Sequence, residues 1–187
     1  MNQPPLTGKL VRLTVADPEK DARLYLQWDQ DSTFQRLLRL SPVRLVSAKK
    51  ITAWWEEDLG SLTNYNFIIR TLKDDLPVGG LGLDDLDWVT GNAWVGIGIG
   101  EREYWGKGYG TDALNVLMRH AFHELNLRRL SLTVLDFNTR AISSYKKLGF
   151  REEGLEREAL HRAGERCGLL YMGVFRDEWE AAQENLE

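Results

Sequence analysis

A chain of 187 residues is one domain's worth, long enough to bury a core. Its 43% hydrophobic and 28% charged residues are ordinary for a globular protein, and a net charge of -4 argues against a nucleic-acid partner held through phosphates. The lone cysteine, Cys167, excludes an internal disulfide. The N-terminal MNQPPLTGK lacks the apolar core of a signal peptide, and no apolar run approaches the ~18 residues of a membrane span. A cytoplasmic protein with no membrane partner is the expectation.

Lys9 to Val15 alternates as a strand. Asp17-Pro18 then pairs a cap with a first-turn proline, predicting a helix over Glu19 to Gln30. Ser47 opens another helix, with Ile51, Trp54, Trp55 and Leu59 on one face and Gly60 as its stop. Between them, Thr33 to Val46 has no clear period, and Arg36, Arg39 and Arg44 read as solvated. Tyr65 to Thr71, Pro77 to Leu83 and Ala93 to Ile99 are strands joined by short turns, an antiparallel meander. A helix over Thr111 to Leu125 follows, its apolar residues at helical spacing. Arg129 to Leu135 is a strand parallel to Ala93–Ile99 through a right-handed crossover. A short helix over Thr139 to Leu148 ends at Gly149. Two strands, Arg151 to His161 and Glu165 to Phe175, form a hairpin around Ala163-Gly164, and Asp177 to Asn185 closes the chain as a helix. The seven tryptophans read mainly as core, with one or two lining a cleft. No repeat or linker interrupts residues 1–187, which read as one mixed α/β domain.

Tyr104-Trp105-Gly106-Lys107-Gly108-Tyr109-Gly110-Thr111 stands between a strand and an amphipathic helix. Three alternate glycines let backbone N–H groups turn inward, and the helix start adds unpartnered N–H groups and positive potential. That is an anion site, most simply for a pyrophosphate. A Walker A loop is excluded, because five residues rather than four separate Gly100 from Gly106, and Gly108 follows Lys107. Gly108-Tyr109-Gly110-Thr111-Asp112-Ala113 satisfies the dinucleotide fingerprint, with Asp136 as a ribose ligand, although Glu101 to Trp105 separates the loop from its strand. An NAD(P)-binding enzyme is therefore an alternative. His120 and His123 are too few for a metal site, and none is expected.

Gly106 to Gly110 with Thr111-Asp112-Ala113 resembles the pyrophosphate loop of the GCN5-related N-acetyltransferases. Asn138-x-x-Ala141-x-x-x-Tyr145-x-x-x-Gly149-Phe150 resembles that superfamily's second motif, one helix and one strand further on. Trp105 to Tyr109 and the Arg157…Gly164 hairpin look most like the branch that acetylates N-terminal amines of ribosomal proteins. The resemblance implies a GNAT-like α/β (α+β) fold: a mixed, mostly antiparallel sheet splayed between two parallel strands, with helices on both faces. It implies acetyl-CoA as cosubstrate and transfer of acetyl to a primary amine, an α-amine first, with polyamines or aminoglycosides as the alternative. A non-catalytic acyl-CoA sensor is the alternative of another class, and a homodimer is the candidate assembly.

Under that resemblance Gly98, Ile99, Trp105, Gly106, Lys107, Gly108, Tyr109, Gly110, Thr111, Asn138 and Tyr145 bind the cosubstrate. Gly98 or Ile99 offers a backbone N–H to the oxyanion, and Tyr145 stands by the departing sulfur. Its competing role is a core aromatic beside Ala141 and Leu148. Ala93 to Ile99 carries no titratable residue, and Trp94 stands where many relatives have a carboxylate. Glu101 is then the first candidate base, acting through water, ahead of Asp136 and Glu103.

Overall fold

The computed structural model describes residues 5–41, 46–162 and 164–184, and among these the strands form one seven-stranded sheet. Its strands are β1 (Val11–Val15), β2 (Tyr65–Thr71), β3 (Pro77–Asp87), β4 (Asn92–Ile99), β5 (Arg129–Leu135), β6 (Arg151–Arg162) and β7 (Glu165–Phe175), in the order β1-β2-β3-β4-β5-β7-β6. Every neighbouring pair is antiparallel except β4 and β5, which run parallel. Six helices cover the two faces: α1 (Pro18–Asp29), α2 (Ser32–Leu38), α3 (Ala48–Leu59), α4 (Tyr109–Arg119), α5 (Thr139–Lys147) and α6 (Arg176–Glu184). The meander, the parallel pairing of β4 with β5 and the closing hairpin are as expected, although Ala163, Arg44 and Asn185 lie outside the described residues. No helix among the described residues is long and apolar enough to cross a membrane.

Local chemistry accounts for most of the boundaries. Asp17 caps α1 by accepting from the Lys20 N–H at 3.3 Å, and Pro18 occupies the first turn. Asp31 caps α2 through the Thr33 and Phe34 N–H groups, at 2.8 and 3.2 Å. That short helix falls in the stretch without a clear period, because its hold is tertiary. Phe34 is buried, and the Arg162 guanidinium, arriving from the end of β6, donates to the carbonyls of Arg36 and Arg39 at 2.9 and 2.7 Å. Arg39 is not solvated: it is largely shielded and pairs with Asp29 at 2.7 Å. β3 runs past the expected end at Leu83 to Asp87, with an irregular register between Asp84 and Asp87 and a positive φ at Asp85. The helix after the glycine loop begins at Tyr109 and finishes in a π-helical turn, His120–Glu124, closed by the Leu125 N–H on the His120 carbonyl.

The core lies between the sheet and α4. Leu114, Leu117, Met118, Ala121 and Phe122 meet Val11, Ile69, Leu83, Leu130, Leu132 and Val174, all of them buried. On the opposite face α1, α2 and α3 contribute Ala22, Trp28, Phe34 and Ile51. The tryptophans depart from expectation: only Trp28 and Trp179 are buried, whereas Trp54, Trp88 and Trp94 are exposed and Trp55 and Trp105 border cavities. The indole's size lets a half-covered position satisfy it, so composition alone overstates burial. His120 packs edge-on to Phe67, and burial holds its imidazole below its ordinary pKa. His123 lies against Glu180 and Trp179. Among the described residues no three His, Cys, Asp or Glu side chains cluster as a metal site would require.

Asp112 ties the edge of the sheet to α4. Its carboxylate accepts from the N–H groups of Lys9, Leu10 and Val11, at 3.0, 2.7 and 3.0 Å. Gly8 clears the space, since a Cβ there would stand 2.4 Å from the same carboxylate. Replacing Asp112 with Ala strands all three donors and should lower unfolding free energy by about 2 kcal/mol in urea titration, with Asp112→Asn losing less.

Candidate active site

β4 and β5 pair over three positions only, Asn92 with Arg129, Ala93 with Leu130 and Trp94 with Ser131. Past these the strands part, while β3 still holds β4 as far as Ile99 and β7 holds β5 as far as Leu135. A cleft of about 480 Å³ opens in the gap, lined by Val95 to Ile99 on one side and Thr133 to Leu135 on the other. Parity decides which backbone groups face it. The Gly100 N–H donates to the Val78 carbonyl at 2.9 Å, so Gly98, opposite Gly80, turns its own N–H and C=O towards β3. Ile97 and Ile99 turn theirs to the gap, and the Ile99 carbonyl there accepts from Trp105 Nε1 at 2.6 Å. Of the two donors expected for the oxyanion, Gly98 or Ile99, Gly98 therefore turns its N–H away from the gap and Ile99 turns its N–H towards it, as does Ile97.

At the mouth of the gap Gly106 and Gly108 hold φ of +72° and +88°, conformations that side chains with a Cβ rarely adopt. Gly108 is the N-cap of α4 and offers no side-chain cap, and the N–H groups of Gly110 and Thr111 have no acceptor among the described residues. The Thr111 and Ser144 hydroxyls share a hydrogen bond of 2.6 Å across the cleft between α4 and α5. Two cations line the same end: Lys147, and Arg140, whose guanidinium sits 4.2 Å above the Trp105 ring. An anion with several oxygens fits this combination of open amides, hydroxyls and positive charge.

Asn138 caps α5, accepting from the Ala141 N–H at 3.3 Å, and so aims the helix that carries Tyr145. The Tyr145 ring packs against Phe150, while its hydroxyl has no hydrogen-bond partner among the described residues and borders the cleft. Burial pushes its pKa up to about 12, opposed by the Arg140 charge. The phenol therefore keeps its proton at any working pH.

Of the residues singled out from sequence, Gly98, Ile99, Trp105, Gly106, Gly108, Gly110, Thr111, Asn138 and Tyr145 line the cleft. Lys107 is exposed outside it, and Tyr109 instead packs edge-on to Tyr104 with centroids 4.8 Å apart. Glu101 does not line it either: its carboxylate accepts from Trp28 Nε1 at 2.7 Å. Asp136 accepts from the Gly168 N–H at 2.8 Å, a strand-to-strand tie rather than a ribose contact. Arg140, Ser144 and Lys147 were missed by the sequence reading; their place on the first and last turns of a helix capped by Asn138 was the available signal.

A second chamber of about 290 Å³ adjoins the cleft and shares Phe34, Leu38, Gly96, Ile97 and Gly98 with it. Tyr25 and Trp28 from α1, Phe34 from α2 and Trp55 from α3 wall it, over a floor of Gly80, Gly82, Gly96 and Gly98. The cleft and the chamber thus meet where β4 has no side chains.

Residues 12–151 match the family model described as "Acetyltransferase (GNAT) domain". This chain belongs to the GNAT acetyltransferase family. It is accordingly an acetyl-CoA-dependent acyltransferase. It is 27% identical over 172 residues, 90% of this chain and 95% of the other, to "Uncharacterized N-acetyltransferase p20" of Bacillus licheniformis. It is 34% identical over 109 residues, 58% of this chain and 59% of the other, to "Putative ribosomal N-acetyltransferase YdaF" of Bacillus subtilis. A crystal structure of spermidine N-acetyltransferase from Vibrio cholerae in complex with CoA and spermine shares the fold, with a TM-score of 0.82, 19% identity, and coverage of 91% of this chain and 98% of that one. GNAT membership overturns the NAD(P) alternative, in keeping with the 3-10 turn Arg102–Tyr104 that separates β4 from the glycine loop and with the Asp136 tie to Gly168.

Two glycines two residues apart should answer differently to alanine. A Cβ at Gly100 would stand 2.1 Å from the buried Trp28 indole, so Gly100→Ala should destabilise the fold by about 2 kcal/mol in thermal or urea unfolding. A Cβ at Gly98 would stand 3.0 Å from the Phe34 ring, in the neck between cleft and chamber. Gly98→Ala should therefore lower kcat/KM at least tenfold with a smaller change in stability.

Proposed function

We propose that the protein transfers acetyl from acetyl-CoA to a primary amine, and that the acceptor is the N-terminal α-amine of a protein or peptide. The observation that carries this is the continuity of the two cavities: cations and open amides at one end, an aromatic chamber at the other, meeting at Gly96 to Gly98. Gly106 to Thr111, with Arg140 and Lys147, would hold the pyrophosphate. The open edges of β4 and β5 would hold the pantetheine arm as they would an added strand.

Ile97 or Ile99 then supplies the N–H that takes the negative charge developing on the thioester oxygen. Tyr145 hydrogen-bonds the departing sulfur. With its pKa near 12, giving its proton to a thiolate near 8.5 is uphill by about 5 kcal/mol, so it stabilises the sulfur without ionising.

The chamber and the relatives bear on the acceptor. A polyamine brings several ammonium groups, each needing a counter-charge once desolvated, and the chamber's walls are mainly aromatic and aliphatic. An α-amine near pKa 7.8 costs about 1 kcal/mol to neutralise at pH 7, against about 4.6 for a lysine-type amine near 10.4. The similarity to YdaF, named a putative ribosomal N-acetyltransferase, supports the same reading, while that to a spermidine N(1)-acetyltransferase of Escherichia coli supports the polyamine alternative.

A thiol-release screen should find peptides with free α-amines turned over faster than spermidine or aminoglycosides; the reverse order would move the acceptor to those small amines. Tyr145→Phe should lower kcat by about a hundredfold while the acetyl-CoA Kd from calorimetry stays within twofold. Arg140→Ala should weaken acetyl-CoA binding about tenfold, with a smaller salt dependence than the parent, and leave kcat at saturation nearly unchanged.

A further inference from the structure

Among the described residues lining the cleft and the chamber, one side chain is a carboxylate, that of Asp84. It stands on β3 opposite Trp94, and register places it on the same face as Gly82, Gly80, Gly96 and Gly98. Its Oδ2 lies 3.7 Å from where a Cβ of Gly96 would be, so the carboxylate overhangs the bare stretch of β4 at which the two cavities join. Gly98 is two residues further on, about 7 Å along the strand, beside the edge amides of Ile97 and Ile99. The combined cavity therefore carries opposite charges at its two ends, with Arg140 and Lys147 at one extreme and Asp84 across the neck. Tyr25, Trp28, Phe34 and Trp55 wall the space around it with apolar surface, which strengthens any charge pairing made there.

We propose that Asp84 receives the acceptor's ammonium group and takes its proton, serving as the general base that Glu101, held by Trp28, is not placed to be. The assignment rests on the acetyl-transfer reading above. The step balances as follows. The ammonium gives one proton to the Asp84 carboxylate, the freed nitrogen pair forms the C–N bond, and the C–S bond breaks with its electrons on sulfur. The sulfur gains the second proton that the nitrogen sheds, and Asp84 returns the first to solvent. The other titratable side chain lining the chamber, among the described residues, is Tyr25. Its hydroxyl accepts from Arg39 at 3.3 Å, and burial raises its pKa, so it stays neutral and does not compete. An aromatic wall with one carboxylate suits an acceptor with a single ammonium group, as a peptide terminus has and a polyamine has not.

The test compares the full-length parent with Asp84→Asn and Asp84→Glu, using acetyl-CoA with seryl-, alanyl- and glycyl-peptides carrying free α-amines, and spermidine. Calorimetry gives the acetyl-CoA Kd, and thiol release gives kcat/KM for the amine from pH 6 to 10. Asp84→Asn should keep Kd within twofold, which also shows that it folds, and should lose about tenfold in kcat/KM at pH 7 for the α-amine peptides, close to the ~1 kcal/mol that neutralising such an amine costs. The deficit should shrink towards pH 10, where the amine is already neutral, and Asp84→Glu should recover most of the loss. An active parent beside an Asp84→Asn protein within threefold of it overturns the assignment alone. A loss of equal size at every pH also overturns it, since that is the mark of a packing role. A parent that binds acetyl-CoA yet releases no thiol with any of these amines overturns the acetyl-transfer reading and this assignment with it.

Discussion

Two strands that begin as a parallel pair and then stop pairing set the terms for the rest of the molecule. Beyond Trp94 and Ser131, β4 and β5 hold their outer neighbours but not each other, and backbone groups at Ile97 and Ile99 are left facing a gap. An unpaired buried amide costs about 1–3 kcal/mol, so such a gap persists only where other contacts impose it. Here β3 and β7 grip the two strands from outside, α4 fills one face below the gap, and α2 with Phe34 closes over the other. The unmet hydrogen-bonding capacity is what an extended amide-bearing arm can satisfy.

The glycines make sense in that light as two groups with different physical tasks. Gly106 and Gly108 are needed for their backbone angles, which bring amides to the mouth of the gap. Gly80, Gly82, Gly96 and Gly98 are needed for what they lack, since side chains there would fill the floor on which cleft and chamber meet. Charge is distributed along the passage, with Arg140 and Lys147 at one end and Asp84 at the chamber, the arrangement that the proposed phosphate and ammonium ligands would need. Because Trp28 both walls the chamber and holds Glu101, the nearest acid in sequence is removed from the passage by the same residue that shapes it.

Much of the order of elements was legible in the chain. β2, β5 and β7 were legible at their observed bounds, β5 from its alternation, the Asp17-Pro18 pair located α1, and the glycine loop with Asn138 and Tyr145 marked the cleft. What escaped was whatever depended on residues far apart. α2 is held by Arg162 from over a hundred residues away, as shown by its bonds to the carbonyls of Arg36 and Arg39. Arg39 finds Asp29 rather than water. Most of the tryptophans lie at cavity rims or on the surface, where an apolar body and a polar tip are both accommodated.

The sequence by itself marked the family, the glycine loop and the tyrosine, because each is a local pattern: spacing of glycines, a cap, a helical repeat. Tertiary structure alone decided which N–H groups face the gap, which cations stand beside the loop, and that Asp84 rather than Glu101 reaches the meeting point. The reason is physical. Strand parity, and the direction in which a side chain leaves its sheet, follow from register against neighbours that only the folded chain supplies.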